Sequence, residues 1–176
     1  DAPETTRGPD GTVTAPPAPS PAAGLRIGAY KVLRELGHGG MGAVYLAARA
    51  DDQFQKRVAI KVVKAGAFGA EAVRHFRRER QILASLEHPN IARLLDGGAT
   101  DEGSPYLVME HVEGQDLGSF LAEKPREVRE VVELFKEAAR GLSAVHAAGL
   151  THCDFKPSNV LVDAQGRVRV TDFGLA

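Results

Sequence analysis

The sequence predicts an α+β fold of two lobes, a small lobe of five strands and one helix followed by the start of a mainly helical large lobe. Strand-like runs separated by turn residues recur from Tyr30 to Glu110, and the longest helical pattern, Glu127–Ala148, follows them. The predicted boundaries are a small lobe at 28–110, a hinge at 111–116 and a partial large lobe at 117–176.

Composition and charge narrow the classes of function. The 176 residues carry 22 basic and 23 acidic side chains, a formal net charge of −1, so we expect neither nucleic acid nor an anionic membrane as a partner. The single cysteine, Cys153, cannot form an internal disulfide, and no run reaches the roughly 20 apolar residues of a spanning helix. We expect a cytoplasmic fragment, and the position of any membrane anchor in the parent chain is left open.

The first 27 residues are predicted to be a disordered leader, separate from a domain at 28–176. Six of the ten prolines lie in residues 1–24, with almost no large apolar side chains among them. Such a segment cannot bury enough apolar surface to offset the entropy of ordering.

A glycine-rich hairpin opens the small lobe. Tyr30–Leu36 and Ala43–Ala50 read as strands on either side of Gly37–Gly42, a turn of sequence GHGGMG. Its glycines allow backbone N–H groups to approach a phosphate chain. A dinucleotide-binding fold would require a helix directly after the glycines, but AVYLAAR has a strand pattern. The strand-turn-strand interpretation is therefore favoured, with Leu36 at the end of its first strand and Val44 near the start of its second.

A lysine within the third strand is a candidate phosphate ligand. In Val58–Val63, alternation places Ala59, Lys61 and Val63 on one face. Lys61 has buried residue types on both sides, so its ammonium requires a partner or a phosphate, although an exposed edge lysine is the simpler alternative. Glu79 falls on the apolar stripe of a helix predicted over Glu71–Leu86, and we expect it to pair with Lys61.

The small lobe closes with a strand from Ile91 and a fifth strand that ends near Glu110. In the hinge, His111–Asp116, backbone groups are available to an adenine edge. Asp116 precedes a short helix, so it is expected to be an N-cap, and a bond to ribose hydroxyls is a compatible alternative.

The long helix Glu127–Ala148 is predicted to be a scaffold. Pro125 suits its start and Gly149 its end. Its apolar side chains have the spacing of a buried stripe: Val128, Val131, Val132, Phe135, Ala138, Ala139, Leu142 and Val145.

The candidate chemistry lies in the last 27 residues. Asp154 and Asn159 are five residues apart in a loop, and a hairpin of Val160–Val162 with Val168–Val170 brings Asp172 back beside them. Asn159 and Asp172 supply hard oxygen ligands of the kind that Mg²⁺ uses together with phosphate oxygens. Asp154 remains to accept a proton from, or to orient, a substrate hydroxyl.

Six motifs together resemble the protein kinase family over about residues 30–176. They are, in order, LGHGGMGAVY, VAIK, the inward Glu79, VMEHV, HCDFKPSN and DFG. The form GxGGMGxVY is similar to that of bacterial Ser/Thr protein kinases. The resemblance implies the two-lobe kinase fold and transfer of the ATP γ-phosphoryl group to Ser or Thr hydroxyls of proteins, with Mg²⁺, or alternatively Mn²⁺, as the cation.

The resemblance also implies a role for each matching residue. Asp154 would be the catalytic base and Lys156 would neutralise the γ-phosphate, while Lys61, fixed by Glu79, would hold the α- and β-phosphates and Asn159 and Asp172 the metal. The implied nucleotide contacts are Leu36, Gly37, His38, Gly39, Gly40, Met41, Gly42, Val44, Ala59, Met109, Glu110, Val112, Asp116 and Leu161. Leu83, Leu94, His152 and Phe173 would form a stacked apolar column that marks an active arrangement.

Two departures from the family pattern lead to further expectations. Cys153 stands where many members have Arg, so we expect no gating through a phosphate on the activation segment, and we interpret the thiol as packed and inert rather than redox-sensing. The sequence ends at DFGLA, before the activation segment and substrate platform. We therefore expect the 176-residue polypeptide itself to be weakly active or inactive.

Two alternative functions are a nucleotide-binding pseudokinase, or regulatory module, and a small-molecule phosphotransferase. Lys61, Glu79, Asp154, Asn159 and Asp172 are all present, which disfavours the first. The combination of GHGGMG with DFKPSN favours protein substrates over the second.

Overall fold

A computed structural model describes residues 23–40, 42–50, 56–64 and 79–173. The strands are β1 Arg26–Ile27, β2 Tyr30–Gly39, β3 Gly42–Arg49, β4 Arg57–Val63, β5 Leu94–Ala99, β6 Pro105–Glu110, β7 Gly114–Asp116, β8 Val160–Asp163 and β9 Val168–Val170. The helices are α1, described over residues 79–85, α2 Leu117–Glu123 and α3 Val128–Ala147, and a 3₁₀ turn covers Pro157–Asn159.

The small lobe is a six-stranded antiparallel sheet in the order β1-β2-β3-β4-β6-β5. The five predicted strands are present, and β1 is an addition at the edge. Ile27 in β1 is 2% exposed and belongs to the core of this sheet, so the predicted leader boundary at residue 27 is wrong. Burial of the apolar Ile27 side chain in the sheet stabilises the ordered strand by more than the conformational entropy that the residue would keep in a disordered leader. The rest of the leader, up to residue 22, lies outside the described residues.

Register places the two faces of the sheet as alternation predicts. Lys61 lies opposite Val44 on β3 and Leu107 on β6, and Ala59 lies opposite Met109. Directly opposed residues share a face, so the predicted face of Lys61 is confirmed. The other face carries the main small-lobe core: Ile27, Tyr30, Val32, Ala47, Val58, Ile60, Tyr106 and Val108.

Two predicted boundaries are wrong. The strand expected from Ile91 begins at Leu94, and Ile91 instead forms a parallel bridge with Val170. The backbone groups of the predicted hinge, 111–116, are not all available to a ligand, because Gly114–Asp116 pairs with β8. Both segments are recruited by the large lobe, where the three-stranded sheet β7-β8-β9 has backbone groups to pair.

The predicted hairpin after the 3₁₀ turn is confirmed, with Val160 opposite Val170 and Val162 opposite Val168. Gly166 in its turn has φ 75°, which glycine adopts without steric cost.

Helix α3 has the predicted extent but not the predicted buried face. Its buried residues are Leu134, Ala138, Gly141 and Val145. The stripe expected to be buried is partly exposed, since Val128 is 79%, Val132 48% and Phe135 46% exposed. Only the edge of the helix that faces β9 is covered in the described structure. Within that part of the chain, no helix is long and apolar enough to cross a membrane.

The glycine-rich turn yields a stability prediction. Gly39 pairs with Gly42 across the turn, and a Cβ on Gly42 would overlap the carbonyl oxygen of Val62, whereas a Cβ on Gly40 meets no atom within 4 Å. We expect Gly42→Ala to lower the free energy of unfolding by about 1–3 kcal/mol. Gly40→Ala, the matched control, should change it by less than about 0.5 kcal/mol. Urea titration of both variants checks this, and equal values for the two would contradict the close approach of Gly42 to Val62.

Candidate active site

An ion pair between the two lobes lies at the centre of the candidate site. The Nζ atom of Lys61, on β4, donates to Oδ1 of Asp172, just after β9, at 2.9 Å. The two side chains are 15% and 28% exposed. The exposed-edge interpretation of Lys61 is therefore wrong, because its ammonium points into the space between the lobes.

The expected pair between Lys61 and Glu79 is not formed. Both residues are described, and the hydrogen bond and ion pair of Lys61 go to Asp172. The carboxylate within bonding distance of this ammonium is the one supplied by the large lobe. Glu79 is half-buried in α1, and its inward position stays a prediction.

The candidate catalytic loop, residues 152–159, holds Asp154 between two side chains. Lys156 Nζ lies 2.8 Å from Asp154 Oδ2. The amide nitrogen of Asn159 donates to the main-chain oxygen of Asp154 at 2.8 Å and to its Oδ2 at 3.2 Å. The hydrogen bond from Lys156 lowers the pKa of the Asp154 carboxyl from its usual value, and Asn159 contributes in the same direction. Asp154 is thus an exposed carboxylate with a fixed orientation.

The donor set around Asn159 and Asp172 fits a hard divalent cation. The backbone N–H of Thr171 donates to the carbonyl oxygen of Asn159 at 2.9 Å, which brings the residue before Asp172 against Asn159. Because the Asn159 amide nitrogen bonds Asp154, its amide oxygen is the atom suited to a cation. The described residues hold no cluster of three or more His, Cys, Asp or Glu side chains, so a cation here depends on further oxygens from a phosphate.

The residues implied as nucleotide contacts lie along both sides of this ion pair. Val44 and Ala59 share the sheet face of Lys61, and Met109 is opposite Ala59. On the large-lobe side, Leu161 pairs with Asp116. These positions agree with an adenine site between the lobes.

Other implied contacts are less well supported. Leu36 is 39% exposed. His38 extends outward, with Nδ1 2.8 Å from Glu35 Oε1, and Met41 lies outside the described residues. The backbone N–H of Glu110 already donates to the carbonyl oxygen of Arg93, which removes it as a donor to a ligand, and Val112 is half-buried.

Asp116 is the N-cap of α2, as expected. Its carboxylate accepts from the Ser119 backbone N–H at 3.0 Å and from the Ser119 hydroxyl at 2.6 Å. The bond from the hydroxyl is the main reason that the pKa of Asp116 lies below its usual value.

The residues of the expected apolar column lie near one another between the lobes. Leu83, Leu94 and Phe173 line one cavity between the lobes, and the His152 ring lies 4.9 Å from the Phe173 ring. His152 is 2% exposed, and its Nε2 is 3.0 Å from the Thr171 carbonyl oxygen. The sequence did not indicate three further residues of this cavity, Ile91, Ala92 and Leu107. They reach it through pairing with distant segments, which leaves no local signal.

The interpretation of Cys153 as a packed thiol is wrong. Cys153 is exposed, and its thiol donates to the Thr151 carbonyl oxygen at 3.6 Å. Its φ of 59° turns the chain sharply so that the backbone N–H of Asp154 meets the His152 carbonyl oxygen at 2.7 Å. That turn directs the thiol outward.

Comparisons with known proteins agree with this geometry. The protein kinase domain model matches residues 30–176. The chain belongs to the protein kinase family. The chain is 40% identical over 156 residues to the serine/threonine-protein kinase PrkC of Bacillus subtilis, covering 87% of this chain and 24% of PrkC. It is also 40% identical over 164 residues to PknA of Mycobacterium tuberculosis, covering 89% and 38%.

The fold is also shared with solved kinase domains. A crystal structure of the Mycobacterium tuberculosis PknI kinase domain superposes with a TM-score of 0.76 at 36% identity, covering 88% of this chain and 62% of that one. The two-lobe kinase fold is thereby confirmed. The chain spans about a quarter of the length of PrkC and two fifths of that of PknA.

The Asp116 cap gives a pH prediction. Its folded-state pKa is lowered, so its stabilisation is fully present above the unfolded-state value of about 3.9 and is lost as the pH falls through the lower folded-state value. We expect Asp116→Ala to cost about 1 kcal/mol at pH 7. This difference should shrink as the pH is lowered below about 4. Urea titrations across this range test it, with exposed Asp101→Ala as the control, and a pH-independent difference would contradict the assignment.

Proposed function

We propose that this chain carries the ATP site and catalytic loop of a kinase that transfers the γ-phosphoryl group of ATP to Ser or Thr hydroxyls of proteins. The supporting observations are the Lys61–Asp172 pair at 2.9 Å, the Asp154–Asn159 bond at 3.2 Å, and the Thr171–Asn159 backbone bond that connects the two pairs. Phosphoryl transfer depends mainly on positioning and on neutralising charge, and these are the groups that the reaction needs. PrkC and PknA are named serine/threonine-protein kinases, which supports the choice of substrate class.

The residues of the cleft divide the work. Lys61 offers an ammonium to the α- and β-phosphates from the small-lobe side. Asp154 orients the incoming hydroxyl and accepts its proton as the bond to phosphorus forms and the bond to ADP breaks. Its lowered pKa, caused mainly by the hydrogen bond from Lys156, favours the carboxylate form that both of these roles need. Lys156, now 2.8 Å from Asp154, is placed to share its charge with the γ-phosphate.

Asn159 and Asp172 would hold the divalent cation, for which we propose Mg²⁺, with Mn²⁺ as a substitute. When bound, the cation neutralises charge on the phosphates. Asp172 would serve both Lys61 and the cation, since one of its oxygens bonds Lys61 and a carboxylate has a second oxygen. Leu36, Val44, Ala59, Met109 and Leu161 would enclose the adenine, with backbone groups of the hinge at its edge.

Removing the proposed base separates an enzyme from a binding module. We expect Asp154→Asn to lower kcat for phosphorylation of a Ser/Thr protein substrate by about 10²–10⁴-fold, because the substituted amide cannot accept the proton. ATP affinity should change little, since Asp154 is not among the phosphate ligands. The measurement is the transfer of radiolabelled phosphate to the protein substrate by the natural polypeptide that contains these residues. Asp101→Asn is the control. Unchanged turnover would exclude the assigned base.

The proposed phosphate ligand, Lys61 in β4, has a matched control in Lys64, which follows directly after this strand. We expect Lys61→Met to lower kcat/KM for ATP by about tenfold to a hundredfold, the value of one charge-assisted hydrogen bond to phosphate. Lys64→Met, at an exposed position three residues on, should leave kcat/KM within about twofold. The same kinetic assay with varied ATP tests both, and equal effects of the two substitutions would exclude a specific role of Lys61.

A further inference from the structure

The edge strand of the large-lobe sheet is covered by a segment of the small lobe. Strand β9 is the outer strand of β7-β8-β9, so backbone groups of Val168 and Val170 face away from the sheet. Residues 88–92 lie along this edge, and we call the contact of residues 88–92 with β9 the lobe seam. Backbone N–H and C=O groups on a sheet edge need hydrogen-bond partners when that edge is buried. Val168 and Val170 are both fully buried.

The seam satisfies the outward groups of both valines. Val170 donates to the Asn90 carbonyl oxygen at 2.9 Å and accepts from the Ala92 N–H at 2.9 Å. The Asn90 side-chain amide donates to the Val168 carbonyl oxygen at 3.0 Å. The remaining group, the Val168 N–H, bonds Glu137 Oε2 of α3 at 3.0 Å.

Glu137 of α3 bonds both Asn90 in the small-lobe loop and Val168 in the large-lobe strand. The same Oε2 atom accepts from Asn90 Nδ2 at 3.1 Å, so one carboxylate oxygen holds both the small-lobe loop and the large-lobe strand. Asn90 is 8% exposed, and a buried amide of this kind is costly to leave without its acceptors.

One turn further along α3, Gly141 allows the same loop to approach closely. A Cβ at this position would lie 2.6 Å from the Asn90 carbonyl oxygen and 3.2 Å from a Val170 methyl. Gly141 is buried, and the helix gains nothing in intrinsic stability from glycine in its interior. Glu137 and Gly141, spaced by four residues on one helix face, therefore form a socket for Asn90.

The seam leads directly into the proposed active site. Asp172 follows Val170 by two residues, and Ile91 and Ala92 line the same cavity as Lys61 and Asp172. Leu94, two residues past the seam, begins β5 of the small-lobe sheet. The lobe seam thus connects β9, which leads to Asp172, with the sheet that carries Lys61.

We propose that Glu137 and Gly141 are positioning residues for phosphoryl transfer, which fix Asp172 relative to Lys61 through the lobe seam. The proposal rests on the proposed function for its catalytic part. Its structural part is independent, because it concerns the hydrogen bonds of Asn90 and Val168. Glu137 acts as an acceptor, so its charge is not required, and a glutamine can supply the same oxygen.

The first arm measures amide hydrogen exchange of Val168 and Val170 in the natural polypeptide that contains these residues. Glu137→Ala removes the acceptor of the Val168 N–H, so exchange there should accelerate by about tenfold or more. Glu137→Gln should restore slow exchange, and Glu133→Ala, at an exposed residue paired with Lys136 on the same helix, should not change it. Unchanged exchange in Glu137→Ala overturns the socket.

The second arm measures kcat and KM for ATP and for the protein substrate, corrected for the folded fraction of each variant. We expect Glu137→Ala and Gly141→Ala to lower kcat by about tenfold to a hundredfold, since small displacements of catalytic groups have effects of this size. KM for the protein substrate should stay constant, and Glu137→Gln should retain kcat within about threefold. Gly141→Ala is informative because alanine otherwise favours a helix.

The two arms distinguish the possible failures. Faster exchange in Glu137→Ala with normal kcat overturns the positioning role. Equal losses in Glu137→Ala and Glu137→Gln overturn the acceptor role. If the unsubstituted polypeptide transfers no phosphate, the proposed function and the positioning role both fail, and the exchange arm still decides whether the socket exists.

Discussion

A single ammonium group facing a single carboxylate connects the two lobes of this kinase domain at its centre. Lys61 and Asp172 are 111 residues apart in sequence, and both are largely removed from solvent. A charge in such surroundings without a partner costs several kcal/mol, so each group requires the other or a phosphate to replace it. The sheet that carries Lys61 and the hairpin that carries Asp172 must therefore meet at a fixed distance.

The candidate catalytic loop and the segment of Asp172 meet this constraint by local backbone strain. Within the described structure, Cys153 and Asp172 are the non-glycine residues with positive φ, at 59° and 58°. Side chains in this region cost about 1–3 kcal/mol each and persist only where surrounding contacts compensate. Here the contacts are the bonds of His152 and Asn159 to Thr171, which tie the loop to the segment preceding Asp172. The strained residues are thus held on the same side of the cleft as the proposed base.

Helix α3 is a support for this arrangement rather than a ligand-binding element. One edge carries Ala138, Gly141 and Val145 against the hairpin and the seam, and these buried residues are small or β-branched, so backbones can approach closely. Val128, Val132 and Phe135 on another edge are exposed. The periodicity of the helix was correctly recognised, but a stripe wider than one contact surface does not reveal which part is buried.

The sequence determined the order of the elements, the face of Lys61, the hairpin after Asn159 and the identity of the candidate catalytic groups. These follow from local periodicity, turn chemistry and short motifs, which are encoded by neighbouring residues. The partner of Lys61, the outward turn of Cys153, the start of β5 and the roles of Asn90, Glu137 and Gly141 were decided only by tertiary structure. Apart from the turn at Cys153, which is local, each depends on which of several chemically equivalent groups lies within about 3 Å, and that choice is made by packing between segments 31 to 111 residues apart.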